Sequence, residues 1–179
     1  MLNDKSILVT GGTGSFGRAF VKTLLERYPR VRRLVIFSRD ELKQFEMAQQ
    51  FPPSQYPCLR FFIGDVRDAA RLKRAMEGID LVFHCAALKH VGSGEYNPFE
   101  ATQTNIVGTQ NVIDACLARG VTKLIYTSTP SVVHGGDAVD GVDESAPYRD
   151  VFVELLDGII ATDGAKLKPW TLTFSLGAQ

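Results

Sequence analysis

The sequence predicts an α/β fold, a doubly wound and mostly parallel sheet of about six strands with helices on both faces. Short apolar runs of strand length alternate with amphipathic stretches of helix length along the whole chain, the order that covers a parallel sheet on both sides. The apolar cores of the short runs are continuous rather than alternating, as strands buried on two faces require. At 179 residues and 45% apolar content, the chain is long enough to bury roughly 70% of its unfolded surface in one core. A single domain spanning 1–179 is therefore expected.

Strands are expected at 6–10, 33–38, 59–63, 81–85, 123–128 and 171–175. The first, Ser6-Ile7-Leu8-Val9-Thr10, runs straight into Gly11-Gly12. Helices fill the intervals at 16–28, 40–50, 69–77, 98–119 and 148–162, and Gly120 suits the C-cap of the fourth. The irregular stretch 132–147 is rich in Gly and Asp and reads as a surface loop before the last helix. A join between segments of different origin is the alternative reading there.

Twenty Lys and Arg balance twenty Asp and Glu, so the chain lacks the basic excess that binding along a phosphate backbone needs, and no nucleic-acid partner is expected. No apolar run approaches the ~18 to 20 residues of a membrane span, and Met1 leads into polar Asn3, Asp4 and Lys5 rather than a signal peptide. No membrane partner and a cytoplasmic location are expected. Cys58, Cys85 and Cys116 are odd in number and widely spaced, the pattern of buried thiols rather than a disulfide framework or metal site.

Directly after the first strand comes Thr10-Gly11-Gly12-Thr13-Gly14-Ser15-Phe16-Gly17. Gly11 permits a tight turn, Gly14 lets backbone approach a pyrophosphate, and Gly17 allows close packing of helix and strand. The helix N-terminus adds N–H groups and the positive end of its dipole. Placed at the end of a strand and the start of a helix, the three glycines point to a dinucleotide-binding Rossmann fold, with Gly11, Thr13, Gly14, Ser15, Phe16 and Gly17 as the cradle. A merely structural turn is the competing reading.

The G-x-x-G-x-x-G spacing resembles the short-chain dehydrogenase/reductase superfamily. Over residues 1–117 the resemblance narrows to the inverting UDP-N-acetylglucosamine 4,6-dehydratases of its extended branch. It is carried by Thr10–Gly17, Ser38-Arg39-Asp40-Glu41-Leu42-Lys43-Gln44, Gly64-Asp65-Val66-Arg67-Asp68, Ala87-Leu88-Lys89-His90-Val91 and Glu95-Tyr96-Asn97-Pro98. The resemblance implies a nicotinamide dinucleotide and a nucleotide-sugar as partners. From about Gly120 the sequence instead resembles the 3β-hydroxysteroid or sterol dehydrogenase branch, in Tyr126-Thr127-Ser128-Thr129-Pro130-Ser131-Val132-Val133 and Asp143-Glu144-Ser145-Ala146-Pro147-Tyr148.

An NAD-binding unit usually places an Asp or Glu at the end of the second strand to hold the ribose 2′-hydroxyl. This chain has Ser38-Arg39 there, and a guanidinium pairs with a 2′-phosphate through charge-assisted hydrogen bonds worth about 1.5–3 kcal/mol each. NADP is the expected cofactor, with NAD as the alternative. The resemblance makes Ser38, Arg39 and Lys43 the discriminating residues; a solvated charge cluster at a helix start is the bland reading. It also sets Asp65 to accept from the adenine amino group and Val66 to pack on the adenine face, while a helix N-cap is the competing role for Asp65 or Asp68. Cys85, Ala86 and Ala87 are small enough to let the cofactor ribose approach. The resemblance brings Lys89 near the nicotinamide ribose, against an ordinary surface lysine. Asn105, a poor helix former inside the fourth helix, is read as scaffolding on the cofactor side.

In this superfamily a Ser or Thr ending the fifth strand polarises substrate, and a Tyr-x-x-x-Lys on the next helix carries the chemistry. Ser128 fills the first role. Tyr148 is the candidate tyrosine, but Phe152 stands where the lysine belongs, and no tyrosine in the chain has a lysine four residues later. With an ordinary titration near 10, only about one tyrosine in a thousand is ionised at neutral pH, so Tyr148 without the cation is a weak base. In a second alignment Tyr148 precedes the active tyrosine and the Tyr-Lys helix is lost. Lys89, His90 or His134 is left to compensate. The dehydratase Asp-Lys pair is replaced by Pro130-Ser131.

Two expectations follow. One is an NADP-binding domain with weak or no turnover; the other is an active oxidoreductase or dehydratase-like enzyme using Ser128 and Tyr148. The family's further substrate region is expected to be absent, leaving a pocket that is open, shallow or completed by another chain. A natural, mosaic or engineered origin is left open, as is the nature of the end at residue 179. Ile106, Val112, Ile113 and Leu117 on the fourth helix are few enough for the sheet to bury, so a homodimer is only a leaning.

Overall fold

The structure, a computed structural model, describes residues 2–126. The expected strand 171–175, the helix 148–162, the loop 132–147 and the residues Ser128, His134, Tyr148 and Phe152 lie outside the described residues.

Five strands form one sheet in the order β3-β2-β1-β4-β5. They are β1 (Ser6–Thr10), β2 (Arg33–Ser38), β3 (Leu59–Ile63), β4 (Leu81–His84) and β5 (Lys123–Tyr126). Parallel registers run Ser6 with Arg33 to Thr10 with Phe37, Leu34 with Leu59 to Ser38 with Ile63, and Ile7 with Leu81 to Thr10 with His84. Every residue of β1 is buried, which is why its apolar run is unbroken. β2 and β3 step one way from β1, and β4 and β5 step the other way. The carboxyl ends of β1 and β4 thus flank the point where strand order reverses, the place at which doubly wound sheets open a ligand crevice.

Strand ends are set by side chains. β4 stops at His84, one residue earlier than its apolar run suggests, because the Cys85 amide turns to donate to the Thr10 carbonyl at 3.2 Å and to Thr10 Oγ1 at 3.1 Å. Helix α1 (Ser15–Arg27) buries Gly17, Val21, Leu24 and Leu25, the i, i+4, i+7, i+8 stripe that a helix lying on a sheet requires. Helices α2 (Glu41–Gln50) and α3 (Ala69–Ala75) start at Asp40 and Asp68, whose carboxylates accept from the Lys43 and Arg71 amides at 2.9 Å. Asp68, not Asp65, is therefore the N-cap of α3.

The stretch 98–119 departs from one uniform helix. It consists of α5 (Pro98–Thr102), a π turn (Gln103–Val107) and α6 (Gly108–Arg119), preceded by a short α4 (Val91–Tyr96) with no sequence-based counterpart. Two contacts account for the π turn. Thr109 Oγ1 donates back to the Asn105 carbonyl at 2.7 Å, an i−4 bond that disturbs helices, and a Cβ on Gly108 would lie 2.6 Å from Val66 Cγ2, so α6 is drawn tightly onto the segment after β3. Gly120, with φ 66°, closes α6 in the left-handed conformation. Of the four apolar residues expected to bury themselves on the sheet, Val112 does so completely, whereas Ile106 and Leu117 stay about two-fifths exposed.

Of the three cysteines only Cys116 is buried, and Cys58 and Cys85 are half-buried. Burial pushes the Cys116 thiol up to about 12, so it stays protonated. Among the described residues no helix is long and apolar enough to cross a membrane, and no cluster of His, Cys, Asp and Glu could hold a metal ion.

Candidate functional site

The turn after β1 is built by deleting side chains. Gly11 adopts φ 65° and donates its N–H to the Phe37 carbonyl at 2.9 Å. A Cβ there would stand 2.9 Å from both the Cα and the N of Ala86, so the turn presses against the backbone leaving β4. Gly17 would place a Cβ 2.5 Å from Gly12 Cα and O. Its close approach is therefore to the turn itself rather than to the strand. Gly14 differs: the one atom near its would-be Cβ is the Gly11 carbonyl oxygen at 3.3 Å, and the residue is exposed. It is also the N-cap of α1, with no side-chain cap and no acidic residue in the first turn. Uncapped N–H groups, a positive dipole end and the exposed backbone of Gly14 suit the oxygens of a diphosphate. Thr13 is buried and its carbonyl accepts from Arg18 Nε at 3.1 Å. Ser15 is exposed, and half-exposed Phe16 stacks on Phe20 at 5.9 Å.

Toward β2 and β3 lies a charged cluster. Arg39 is exposed at the end of β2, and its Nη1 is 3.5 Å from Asp65 Oδ2. Asp65 also accepts from the Arg67 amide at 2.9 Å, from Arg67 Nε at 3.0 Å and from Arg67 Nη2 at 2.7 Å. Burial pushes the Asp65 carboxyl up, but hydrogen bonds from Arg67 and the charges of Arg67 and Arg39 outweigh it and hold the group below its usual range. The far side of Arg67 pairs through Nη1 with Glu100 of α5. Lys43 Nζ lies 3.3 Å from Asp40. Ser38 faces inward, only 8% exposed, with its Oγ accepting from Gln44 Nε2 at 3.1 Å. Val66 is likewise buried, under α6. The structure thus brings Arg39 and Asp65 together, with Ser38 and Val66 buried beside them.

Toward β4 the site is held by a chain of side chains of which sequence reasoning singled out Asn105 and missed His84 and Thr109. Thr10 Oγ1 accepts from the Cys85 and Ala86 amides at 3.1 and 3.2 Å and lies 2.6 Å from His84 Nδ1. His84 Nε2 is 3.1 Å from Thr109 Oγ1. Since the Thr109 hydroxyl donates to Asn105, the ring donates from Nε2, and Nδ1 accepts the Thr10 proton. Asn105 then clamps the β4 exit: its Oδ1 accepts from the Leu88 amide and its Nδ2 donates to the Leu88 carbonyl, both at 2.8 Å. His84 is 1% exposed, and burial pushes it down to about 4, so it is a neutral strut. The signal was present in the sequence: a histidine inside an apolar strand needs partners at both ring nitrogens. Ala87 and Lys89 on this exit are exposed, and His90 Nδ1 accepts from Ser93 N at 3.3 Å as the cap of α4.

Residues 7–140 match the family described as "Polysaccharide biosynthesis protein". The chain belongs to that family. It is 58% identical over 129 residues to the inverting UDP-N-acetylglucosamine 4,6-dehydratase of Campylobacter jejuni, a match covering 72% of this chain and 37% of the relative. Identity to a UDP-glucose 4-epimerase of Rickettsia rickettsii is 43% over 136 residues, covering 75% and 39%. The crystal structure of a dTDP-glucose 4,6-dehydratase from Streptomyces venezuelae, solved with NAD bound, superposes with a TM-score of 0.67 at 32% identity, over 80% of this chain and 45% of that one. The matched stretch thus spans about two fifths of the curated relatives. These likenesses put the protein in the extended short-chain dehydrogenase/reductase superfamily, with nucleotide-sugar dehydratases and epimerases as its kin. The resemblance to the steroid branch falls mostly on residues outside those described.

Proposed function

We infer that this member of the polysaccharide biosynthesis protein family binds NADP across the carboxyl ends of β1, β2 and β4, acts on or beside a nucleotide-sugar, and turns over weakly. The observation that carries the reading is the uncapped, exposed start of α1, where Gly14 leaves its backbone bare and a Cβ would crowd the Gly11 carbonyl oxygen at 3.3 Å. Gly11, Thr13, Gly14, Ser15, Phe16 and Gly17 supply the diphosphate cradle. Arg39, assisted by Lys43 and Ser38, faces the adenosine phosphate, and Asp65 with Val66 borders the adenine. The exit strand Cys85-Ala86-Ala87, together with Lys89 and the Asn105 clamp, borders the nicotinamide ribose. When bound, a nicotinamide dinucleotide supplies a hydride acceptor or donor. The chain's own residues hold and orient it: α1 stabilises negative charge, and the Thr10–His84–Thr109 strut fixes the β4 exit.

Ser128 and Tyr148 are the proposed catalytic pair. Phe152 in the lysine position supports weak turnover, because nothing there lowers the tyrosine pKa toward neutrality. A cytoplasmic setting fits three cysteines joined by no disulfide. Exposed Val91, Tyr96 and Phe99 beside α5 support a homodimer.

Fluorescence titration with NADPH and NADH tests the cofactor. NADPH is expected to bind the tighter, and Arg39→Ala should weaken NADPH by about tenfold to a hundredfold with little change for NADH, the loss of one or two charge-assisted bonds. Failure of both dinucleotides to bind the unmodified chain would overturn the reading.

A further inference from the structure

Arg39 does not stand alone at the end of β2. Its guanidinium is shared with Asp65, and Asp65 is in turn held mainly by Arg67 through two side-chain hydrogen bonds at 3.0 and 2.7 Å against the looser 3.5 Å contact to Arg39. Arg67 is fixed from behind by Glu100 of α5, and Asn111 of α6 donates to the carbonyls of Val66 and Arg67 at 3.1 Å. One carboxylate thus sits between two cations, and α5 and α6 hold the segment of the nearer cation from behind. An anion seated on Arg39 must share that cation with Asp65 and meets like-charge repulsion from it. The more of the Asp65 charge Arg67 takes up, the weaker both effects become.

We propose that Asp65 and Arg67 set the preference between NADP and NAD through Arg39. Asp65 is a specificity determinant that opposes the extra phosphate, and Arg67 is a positioning residue that draws Asp65 away from Arg39. The proposal rests on the dinucleotide reading given above, and it goes beyond that reading by assigning control of the phosphate preference to residues after β3 rather than to the β2 end alone. Contacts of Asp65 to the adenine are common to both dinucleotides, so the ratio of the two affinities isolates the effect on the phosphate.

The test is the ratio of NADH to NADPH dissociation constants, measured by fluorescence titration on the 179-residue chain and on Asp65→Asn, Arg67→Met and the double variant, with melting temperatures recorded alongside. Asp65→Asn should raise the ratio, and Arg67→Met should lower it, each by about threefold to fivefold, the range of a partly exposed ion pair. In the Asp65→Asn background Arg67→Met should leave the ratio unchanged, since Arg67 acts through the carboxylate. Arg67→Lys, which keeps the charge, should recover part of the lost preference and guards against a folding defect in the methionine variant. Unchanged ratios in both single variants, with both dinucleotides still bound, would overturn the proposal and leave the dinucleotide reading standing. An equal fall on Arg67→Met with and without Asp65 would also overturn it, by showing direct attraction of the phosphate. Loss of binding to the unmodified chain would overturn both.

Discussion

The two sides of the crevice mouth are made by opposite means. On the α1 side the backbone does the work and side chains are absent: Gly11 and Gly17 are forced by close contacts, and Gly14 is exposed with the Gly11 carbonyl oxygen 3.3 Å from where its Cβ would stand. On the β4 side the backbone is ordinary, and a run of side chains, Thr10, His84, Thr109 and Asn105, ties the exit strand to the π turn. The difference teaches where each half is vulnerable. The first is damaged by adding atoms, the second by removing them or changing their protonation.

The largest expected effect is on the side-chain half. His84 titrates at about 4 when folded, against an ordinary value of 6.5, so the unfolded chain takes up a proton that the folded chain refuses. The contribution of neutral His84 is full above pH 6.5 and is lost as the pH falls to about 4, a total of about 3 kcal/mol. Denaturant melts across that window should show the decline, and His84→Gln should flatten it; an equal slope in the variant would refute the strut. Next is Asn105→Ala, which leaves the Leu88 N–H and C=O without their clamp. A loss of about 1–3 kcal/mol is expected in the same melts. The smallest effect on stability belongs to the backbone half. Gly14→Val should cost about 1 kcal/mol of stability, because its Cβ would stand 3.3 Å from the Gly11 carbonyl oxygen and valine is a poor residue at the start of a helix. The same variant should weaken dinucleotide binding at least about tenfold. If it bound as well as the unmodified chain, the comparison between the two halves would fail.

This contrast also explains what could be read in advance. β1, β2 and β3 fall where their apolar runs place them; β1 and nearly all of β2 are buried on both faces and announce themselves by composition alone. The glycine turn was legible for a related reason: missing side chains leave a local trace. Side-chain pairings between distant segments leave none. His84 meets Thr10 across 74 positions of sequence, and Arg67 meets Glu100 across 33, so neither partner could be named from spacing. The break inside the stretch 98–119 was hidden too, since Thr109 is an ordinary helix residue until its hydroxyl folds back on Asn105. Ser38 and Val66 were assigned to the cofactor by resemblance, and the contacts that spacing could not name are those of Ser38 Oγ with Gln44 and of Val66 with the backbone at Gly108.

The π turn between α5 and α6 has a geometric consequence. A wider turn accommodates one residue more than a regular coil, and one residue is worth about 100° of rotation about the axis. Within it, Asn105 reaches the loop leaving β4; downstream, Val112, Ala115 and Cys116 are buried. The inserted residue sets the phase between those two faces, so a single rod serves both. Shortening the stretch by one position would restore regular winding and force a choice, keeping either the grip on the crevice or the seat in the core.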